Sequence, residues 1–319
     1  MVKERIKESV APSTSRVYSS AQKKYLTFCN DIKAIPLPLN EQQLCRFVVF
    51  LDDNHLQHST IIGYLSALRR YQIVQGMGDP FVSSWPLLEY VLKGIKSRQA
   101  KKVPLCAKAR LPITPPLLLA MRSFWEKDKH NVDNIMLWAA CCTCFFGFLR
   151  SGEVTVPSMN SYDKDIHLSV GDVLLVSPQS PVAVQVFIKA SKTDPFRKGV
   201  KVYLGSTSNS LCPVAAVAAY MAVRGMKPGP FFKFKDGKPL SRESLVKRIR
   251  EALAASGFDA TQYSGHSFRI GAATTAAAVG IEDSLIKTLG RWESSAYLLY
   301  VKVPRDRLTV VSKRLSAAC

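Results

Sequence analysis

Near its C-terminus the chain reads Ser264-Gly265-His266-Ser267-Phe268-Arg269, then Gly290-Arg291-Trp292, then Tyr300. His266 and Arg269 stand at i and i+3, on one face of an expected helix, which pairs a general acid/base with a guanidinium. Trp292 adds an indole N–H donor, and Tyr300 a phenol that can serve as nucleophile. Far upstream, Leu149-Arg150-Ser151-Gly152-Glu153 supplies a second arginine and Ser191-Lys192-Thr193 a lysine. Two arginines, a lysine, a histidine, an indole and a tyrosine suit attack on a phosphodiester by tyrosine. The developing charge would be met by fixed cations, with no metal required.

Bulk composition agrees with a phosphate-rich partner. Lysine and arginine number 44 against 24 acids, a net charge of +20 over 319 residues. A protein that basic usually has a polyanionic partner, and nucleic acid comes first. Hydrophobic residues at 47% and charged residues at 21% are ordinary for a globular chain with room for two domains. Residues 1–20 are polar and charged, with no apolar core of a signal peptide. The longest apolar stretch, Ile135 to Leu149, is shorter than the roughly 20 residues a bilayer span needs, so no membrane role is expected. Of eight cysteines, Cys141, Cys142 and Cys144 lie inside that stretch and no Cys-x-x-Cys pair occurs. They read as buried small hydrophobes in a reducing compartment, neither a disulfide framework nor a zinc site.

The elements that must position the reactive groups can be read from periodicity. Ser13 or Thr14 can cap a helix with the stripe Val17, Ala21, Tyr25 and Phe28. Asn40 precedes a helix from Glu41 to Leu51 with Leu44, Phe47, Val48 and Leu51 on one face. Ser59-Thr60 begins another, carrying Ile61, Tyr64, Leu65, Leu68 and Tyr71. Asp79-Pro80 and Trp85-Pro86 then break the chain. From Lys93 to Arg110 there are seven basic residues and no acid, read as a helix end followed by an exposed connector that tracks phosphates. Thr114-Pro115-Pro116 looks like a helix start, and Ile135 to Arg150 a fully buried helix. Three strands are expected at Val170 to Val176, at Val182, Val184, Val186 and Ile188, and at Val200, Val202 and Leu204, with Lys192 on the hairpin between the last two. Helices return at Leu211 to Met226, Ser241 to Ser256 (capped by Ser241 and stopped by Gly257), His266 to Val279, Glu282 to Leu289 and Ser295 to Val301.

Arg150, at the end of an apolar helix, needs a partner or an anionic ligand. Glu153 at i+3 is placed to orient it; the plainer alternative is an arginine on the helix C-terminal dipole. His266, with an ordinary pKa near 6.5, can act as acid or base near neutrality, at a helix start that favours phosphate.

The order Arg150, Lys192, His266-x-x-Arg269, Trp292, Tyr300 resembles the tyrosine recombinase (phage-integrase) superfamily. Ser191-Lys192-Thr193-Asp194, the Ser264–Arg269 run and Gly290-Arg291-Trp292…Tyr300 are most similar to its eukaryotic transposon-encoded branch, the DIRS-type, Ngaro-type and Crypton elements. The resemblance covers about residues 110–305 and, more weakly, 10–95. It implies a mainly α fold with a small antiparallel β-sheet: a helical core-binding (SAM-like) DNA-binding domain over 1–95, a basic linker over 96–112 and an α+β catalytic domain over 113–319. It implies that Arg150 and Arg269 clamp the scissile phosphate, that Glu153 supports Arg150, and that Lys192 protonates the departing 5′ oxygen, with Lys189, Lys198 and Lys201 as rivals. His266 would accept or return the tyrosine proton or hold a phosphate oxygen, and Trp292 would donate to phosphate. Tyr300 would attack phosphorus, forming a 3′-phosphotyrosine. The family places this tyrosine eight or nine residues after the preceding His/Trp; Tyr300 lies at eight and its rival Tyr297 at five.

The activity that the resemblance implies is DNA strand cleavage and rejoining in recombination or integration of a mobile element. The partner is double-stranded DNA, the working form a homo-oligomer, four protomers on paired sites, and the location nuclear; no cofactor is needed. Further DNA contacts are expected from Arg69, Arg70, Lys93, Lys96, Arg98, Lys101, Lys102, Lys247 and Arg248, with Lys108, Arg110 and Arg250 beside them, although each is also compatible with a solvated helix face. Two alternatives stand: a domesticated, catalytically silent DNA-binding protein, and a type IB topoisomerase-like activity.

Overall fold

The computed structural model describes residues 2–102, 110–192, 194 and 196–301, and the chain divides into two compact units, Met1–Ala107 and Lys108–Cys319. The first is helical: α1 Val2–Glu8, α2 Pro12–Asp31, α3 Glu41–Asp53, α4 His58–Val74 and α5 Pro86–Lys102. Asn40 caps α3 by accepting from Gln43 N–H, as its position before an apolar stripe indicates. Leu44, Phe47, Val48, Leu51, Ile61 and Leu68 are fully buried, and Tyr25 meets Phe47 edge-on at 5.0 Å. Three expectations need amending. Helix α2 starts at Pro12 with no side-chain cap, because proline at its first position needs no N–H partner. Val17, counted in the apolar stripe, is 50% exposed. Residues 96–102, read as linker, complete α5 instead, with Ile95 in the core and Arg98 paired to Asp52. Lys108, Thr193 and residues 302–319 lie outside the described residues, as does the side chain of Lys102.

The second unit centres on α7, Val132–Phe146, capped by Asn131 and buried on nearly every side: Met136, Leu137, Ala139, Ala140, Cys141, Cys142 and Cys144 are all inaccessible. Around it pack α6 (Pro115–Trp125), α9 (Pro213–Arg224) and α11 (Ser267–Ala278). A short α8 (Ser151–Val154), α10 (Arg242–Ala255) and α12 (Asp283–Gly290) complete the helices. A three-stranded antiparallel sheet runs β1 (Val173–Val176), β2 (Ala183–Ile188), β3 (Val200–Gly205) in that order. Alternation along β2 turns Val184, Val186 and Ile188 inward. In register, Val186 faces Val173 and Val202, and Val184 faces Leu175 and Leu204. Each such buried side chain contributes about 1.5–3 kcal/mol.

The long apolar helix differs from expectation at the end that matters for chemistry. It stops at Phe146, four residues short of Arg150. Phe148 takes a left-handed φ of 51°, and Leu149 N–H turns back to the Cys144 carbonyl at 2.9 Å. Arg150 is therefore extended backbone that opens α8.

Candidate active site

Arg150 is held by one carboxylate. Glu153, whose side chain is 4% exposed, accepts the Arg150 backbone N–H at 2.9 Å and its Nη1 at 3.2 Å. The backbone contact satisfies a donor at the start of α8, and the side-chain contact fixes the guanidinium, which remains 24% exposed. A second guanidinium, Arg291, reaches the same carboxylate at 2.7 Å.

His266 and Arg269 come from the turn into α11. Ser264 N–H donates to Ser267 Oγ at 3.0 Å, which closes this turn. A Cβ at Gly265 would collide with Ser151, so glycine is what lets the His266 turn approach α8. His266 presents its edge to solvent. Desolvation by the surrounding protein, then the like charges of Arg269 and Arg150, hold its imidazole below the usual range. Arg269 is the residue expected as the second phosphate clamp. It is fully buried, Nη1 donates to the Phe148 carbonyl, Nη2 to the Gly290 carbonyl, and Nε has no partner. Burial, with Arg150 and Arg291 nearby, brings its pKa down to about 10, so it is still charged at neutral pH.

The guanidinium of Arg269 lies 4.0 Å from the ring centre of Trp292 and 5.9 Å from that of Tyr300. Tyr300 packs against two of the predicted residues, its ring centre 5.1 Å from that of His266 and 5.2 Å from that of Trp292. Its backbone is tied down by Thr274 Oγ1, which donates to its carbonyl at 3.0 Å. Tyr297 is differently employed. It is buried in the core, and its hydroxyl donates to Asp283 at 2.9 Å.

Beside this cluster lies a cavity of about 490 Å³, open to solvent and lined by Arg150, Ser151, Lys192, Arg242, Gly265 and His266. Lys192 is exposed on the turn after β2. Its rival Lys189 is already committed to Asp172 at 2.7 Å and to the His167 carbonyl at 3.2 Å. Residues from α8, the β2–β3 turn, α10 and the start of α11 thus converge on one opening.

No family model matches the sequence. An integrase/recombinase xerD homolog from Selenomonas ruminantium is 20% identical over 301 residues, spanning 92% of this chain and 82% of that protein. Among solved structures, the XerH site-specific recombinase bound to palindromic difH substrate matches 93% of this chain and 78% of its own, with TM-score 0.65 and 16% identity. A lambda integrase dimer bound to a COC′ core site matches 92% of this chain and 72% of its own, with TM-score 0.57 and 16% identity. The Tn1549 transposon integrase in complex with circular intermediate DNA matches 88% and 87%, with TM-score 0.54 and 16% identity. The fold is that of the tyrosine recombinases.

Within the tyrosine recombinase fold, two cations at the site went unread in the sequence. Arg242 begins α10 and lines the cavity, its guanidinium lying where a Cβ on Gly152 would be. Arg291 is the partner of Glu153. Gly152 is packed tightly against the Arg242 guanidinium and Gly290 against the Trp292 indole, but neither glycine singles out Arg242 or Arg291 in the sequence. Several expected DNA contacts spend donors on the chain itself. Arg69 pairs with Asp79, and Arg70 donates to the Ile6 carbonyl and to Ser9 Oγ. Arg98 pairs with Asp52 and Asp53, Arg248 bonds Asn134 and Glu251, and Arg250 bonds the Tyr263 carbonyl. Arg110 is exposed, with Nη1 on the Thr261 carbonyl at 3.0 Å. Lys93, Lys96, Lys101 and Lys247 remain exposed to solvent.

Proposed function

We propose that this chain cleaves and rejoins DNA through a 3′-phosphotyrosine intermediate and so carries out site-specific recombination or integration of a mobile element. The observation that carries the proposal is the seat of Tyr300, whose ring centre lies 5.1 Å from that of His266, 5.2 Å from that of Trp292 and 5.9 Å from the Arg269 guanidinium. His266, held neutral by its surroundings, accepts the phenol proton as the Tyr300 oxygen bonds to phosphorus. The P–O5′ bond breaks, and Lys192 protonates the leaving oxygen from the rim of the cavity. Arg150, oriented by Glu153, faces that cavity and meets the non-bridging oxygens. Arg269 acts from beneath as a fixed charge under Trp292 and Tyr300. Attack of a 5′-hydroxyl on the phosphotyrosine reverses the step and needs no nucleoside triphosphate.

Preorganised cations take the electrostatic part that a metal takes in other phosphoryl transfers, so cleavage is expected to proceed with chelator present. Duplex DNA as partner is supported by the net charge of +20 and by similar proteins whose structures are DNA complexes. Among the described residues, Arg242, Lys192, Lys247 and the α5 lysines Lys93, Lys96 and Lys101 are exposed cations that can meet the backbone. Strand exchange between two duplexes needs four cleavages, hence four protomers. The transposon-type motifs around Lys192, His266 and Trp292 support a mobile-element role, and a chromosomal substrate with high positive charge supports a nuclear location.

Suicide DNA that traps the covalent adduct tests this. Adducts restricted to the element's terminal-repeat DNA, undiminished by chelator, are expected. Adducts on any supercoiled DNA would make it a type IB topoisomerase-like enzyme instead. Tight binding with no adduct would make it a silent DNA-binding protein.

A further inference from the structure

Glu153 is the point where two distant segments of the catalytic unit meet. One of its oxygens accepts Arg150 Nη1 at 3.2 Å. The other accepts both the Arg150 backbone N–H at 2.9 Å and Arg291 Nη2 at 2.7 Å. Arg291 is 138 residues downstream of Glu153 and caps α12 in the left-handed conformation, φ 56° and ψ 48°, a strained choice for a residue with a Cβ. The next residue is Trp292, which packs on Tyr300. Hydrogen bonds therefore run without a break from the guanidinium facing the cavity, through one carboxylate, to the segment that carries the tyrosine.

Stability of the free protein does not account for this arrangement. Three guanidiniums, Arg150, Arg269 and Arg291, gather around one acid, and Arg291 leaves Nε and Nη1 buried with no partner. Unpartnered buried donors and excess like charge both cost free energy. Those two donors are also sealed from solvent, and Nη2 is engaged by Glu153. Among the described residues, the hydrogen bond the Arg291 side chain makes is to the group that orients Arg150.

We propose that Arg291 is a positioning residue for DNA cleavage: through Glu153 it sets the Arg150 guanidinium and locks the Trp292–Tyr300 segment in register with it. This rests on the strand-cleavage function proposed above. The contact has two effects. It withdraws part of the Glu153 charge from Arg150, leaving that guanidinium more available to phosphate, and it removes the freedom of Tyr300 to drift from the phosphorus that Arg150 holds.

Single-turnover cleavage of suicide DNA at saturating DNA, alongside DNA affinity and thermal unfolding, tests it. Arg291→Gln should bind DNA within about threefold of wild type yet cleave roughly 100-fold more slowly, the loss expected for about 1 Å of misplacement. Arg291→Lys, which can still reach Glu153, should recover at least about tenfold of that loss. Arg291→Gly keeps the left-handed backbone without strain and should be as slow as Arg291→Gln; it carries the comparison if the glutamine variant does not fold. In the Glu153→Gln background, Arg291→Gln should add little further loss, because the two act as a unit. Wild-type cleavage with both Arg291→Gln and Arg291→Gly equally fast overturns the inference alone. So does a loss that lysine does not relieve and that tracks melting temperature. No adduct from wild type on any DNA overturns it together with the cleavage function.

Discussion

The hydroxyl of Tyr297 donates to Asp283 Oδ2 at 2.9 Å, while the neighbouring Tyr300 ring lies against His266 and Trp292. The two tyrosines, three residues apart, thus have different work. The Asp283 carboxylate, first through its hydrogen bond, pushes the Tyr297 phenol pKa up, and this keeps the proton on the oxygen. Tyr300→Phe should abolish the covalent adduct on suicide DNA. Tyr297→Phe should keep its rate within about threefold of wild type. An adduct that survives in Tyr300→Phe and disappears in Tyr297→Phe would exchange the two assignments.

His266 gives the pH dependence. Its folded pKa is lowered below the ordinary 6.5, first by desolvation and then by Arg269 and Arg150. A base works only when unprotonated, so the half-point of the acid limb of cleavage is expected below 6.5. Arg150→Gln removes one of the like charges, so the imidazole titrates at higher pH. Nuclear magnetic resonance titration of the histidine protons, with the pH profile of single-turnover cleavage, checks both statements. An acid limb above 6.5 in the wild type would remove His266 from the role of base.

Gly290 offers a test that leaves every reactive group in place. A Cβ there would run into the indole of Trp292, and the Gly290 carbonyl accepts from Arg269. In Gly290→Ala the Trp292 ring must shift from its place. Overpacking of this kind costs about 1–3 kcal/mol of stability, and cleavage should fall roughly 100-fold through misplacement of the nucleophile. DNA affinity, governed by exposed cations elsewhere, should change little. A Gly290→Ala enzyme of full activity would show that the contact between Trp292 and Tyr300 is dispensable.

The features legible in the sequence are those decided locally. Asn40 and Ser241 announce caps because their side chains serve amides three residues on. Alternation in β2 announces its inward face because neighbouring side chains on a strand must point opposite ways. The end of α7 was missed because Phe148 and Leu149 continue its apolar run while the backbone has already turned at Gly147 and Phe148. The ordered set Arg150, Lys192, His266, Arg269, Trp292 and Tyr300 was expected through the family resemblance that its order carries. Their surroundings could not be expected, because they are made by partners far away in the chain. Nothing near Arg269 in sequence says that the Phe148 and Gly290 carbonyls will occupy it. Nothing near Arg291 or Arg242 separates them from solvated arginines. Asp79 and Asp52 likewise turn Arg69 and Arg98 into internal ties.

Lys192 stands on the rim of the cavity that holds Arg150 and His266, while Lys189 is bound to Asp172, and Lys192 is the proposed proton donor to the departing 5′ oxygen. An alkoxide leaving group needs a proton in the transition state, and a thiolate does not. Lys192→Ala should therefore slow cleavage of ordinary suicide DNA by about 100- to 10,000-fold. On DNA with sulfur in place of the bridging 5′ oxygen, the same variant should cleave within about tenfold of wild type. Lys189→Ala should show no such selective rescue, because its loss acts through the Asp172 and His167 contacts and not on the leaving group. If sulfur substitution leaves Lys192→Ala as slow as before, the lysine contributes binding or positioning charge, and the proton reaches the 5′ oxygen from another group.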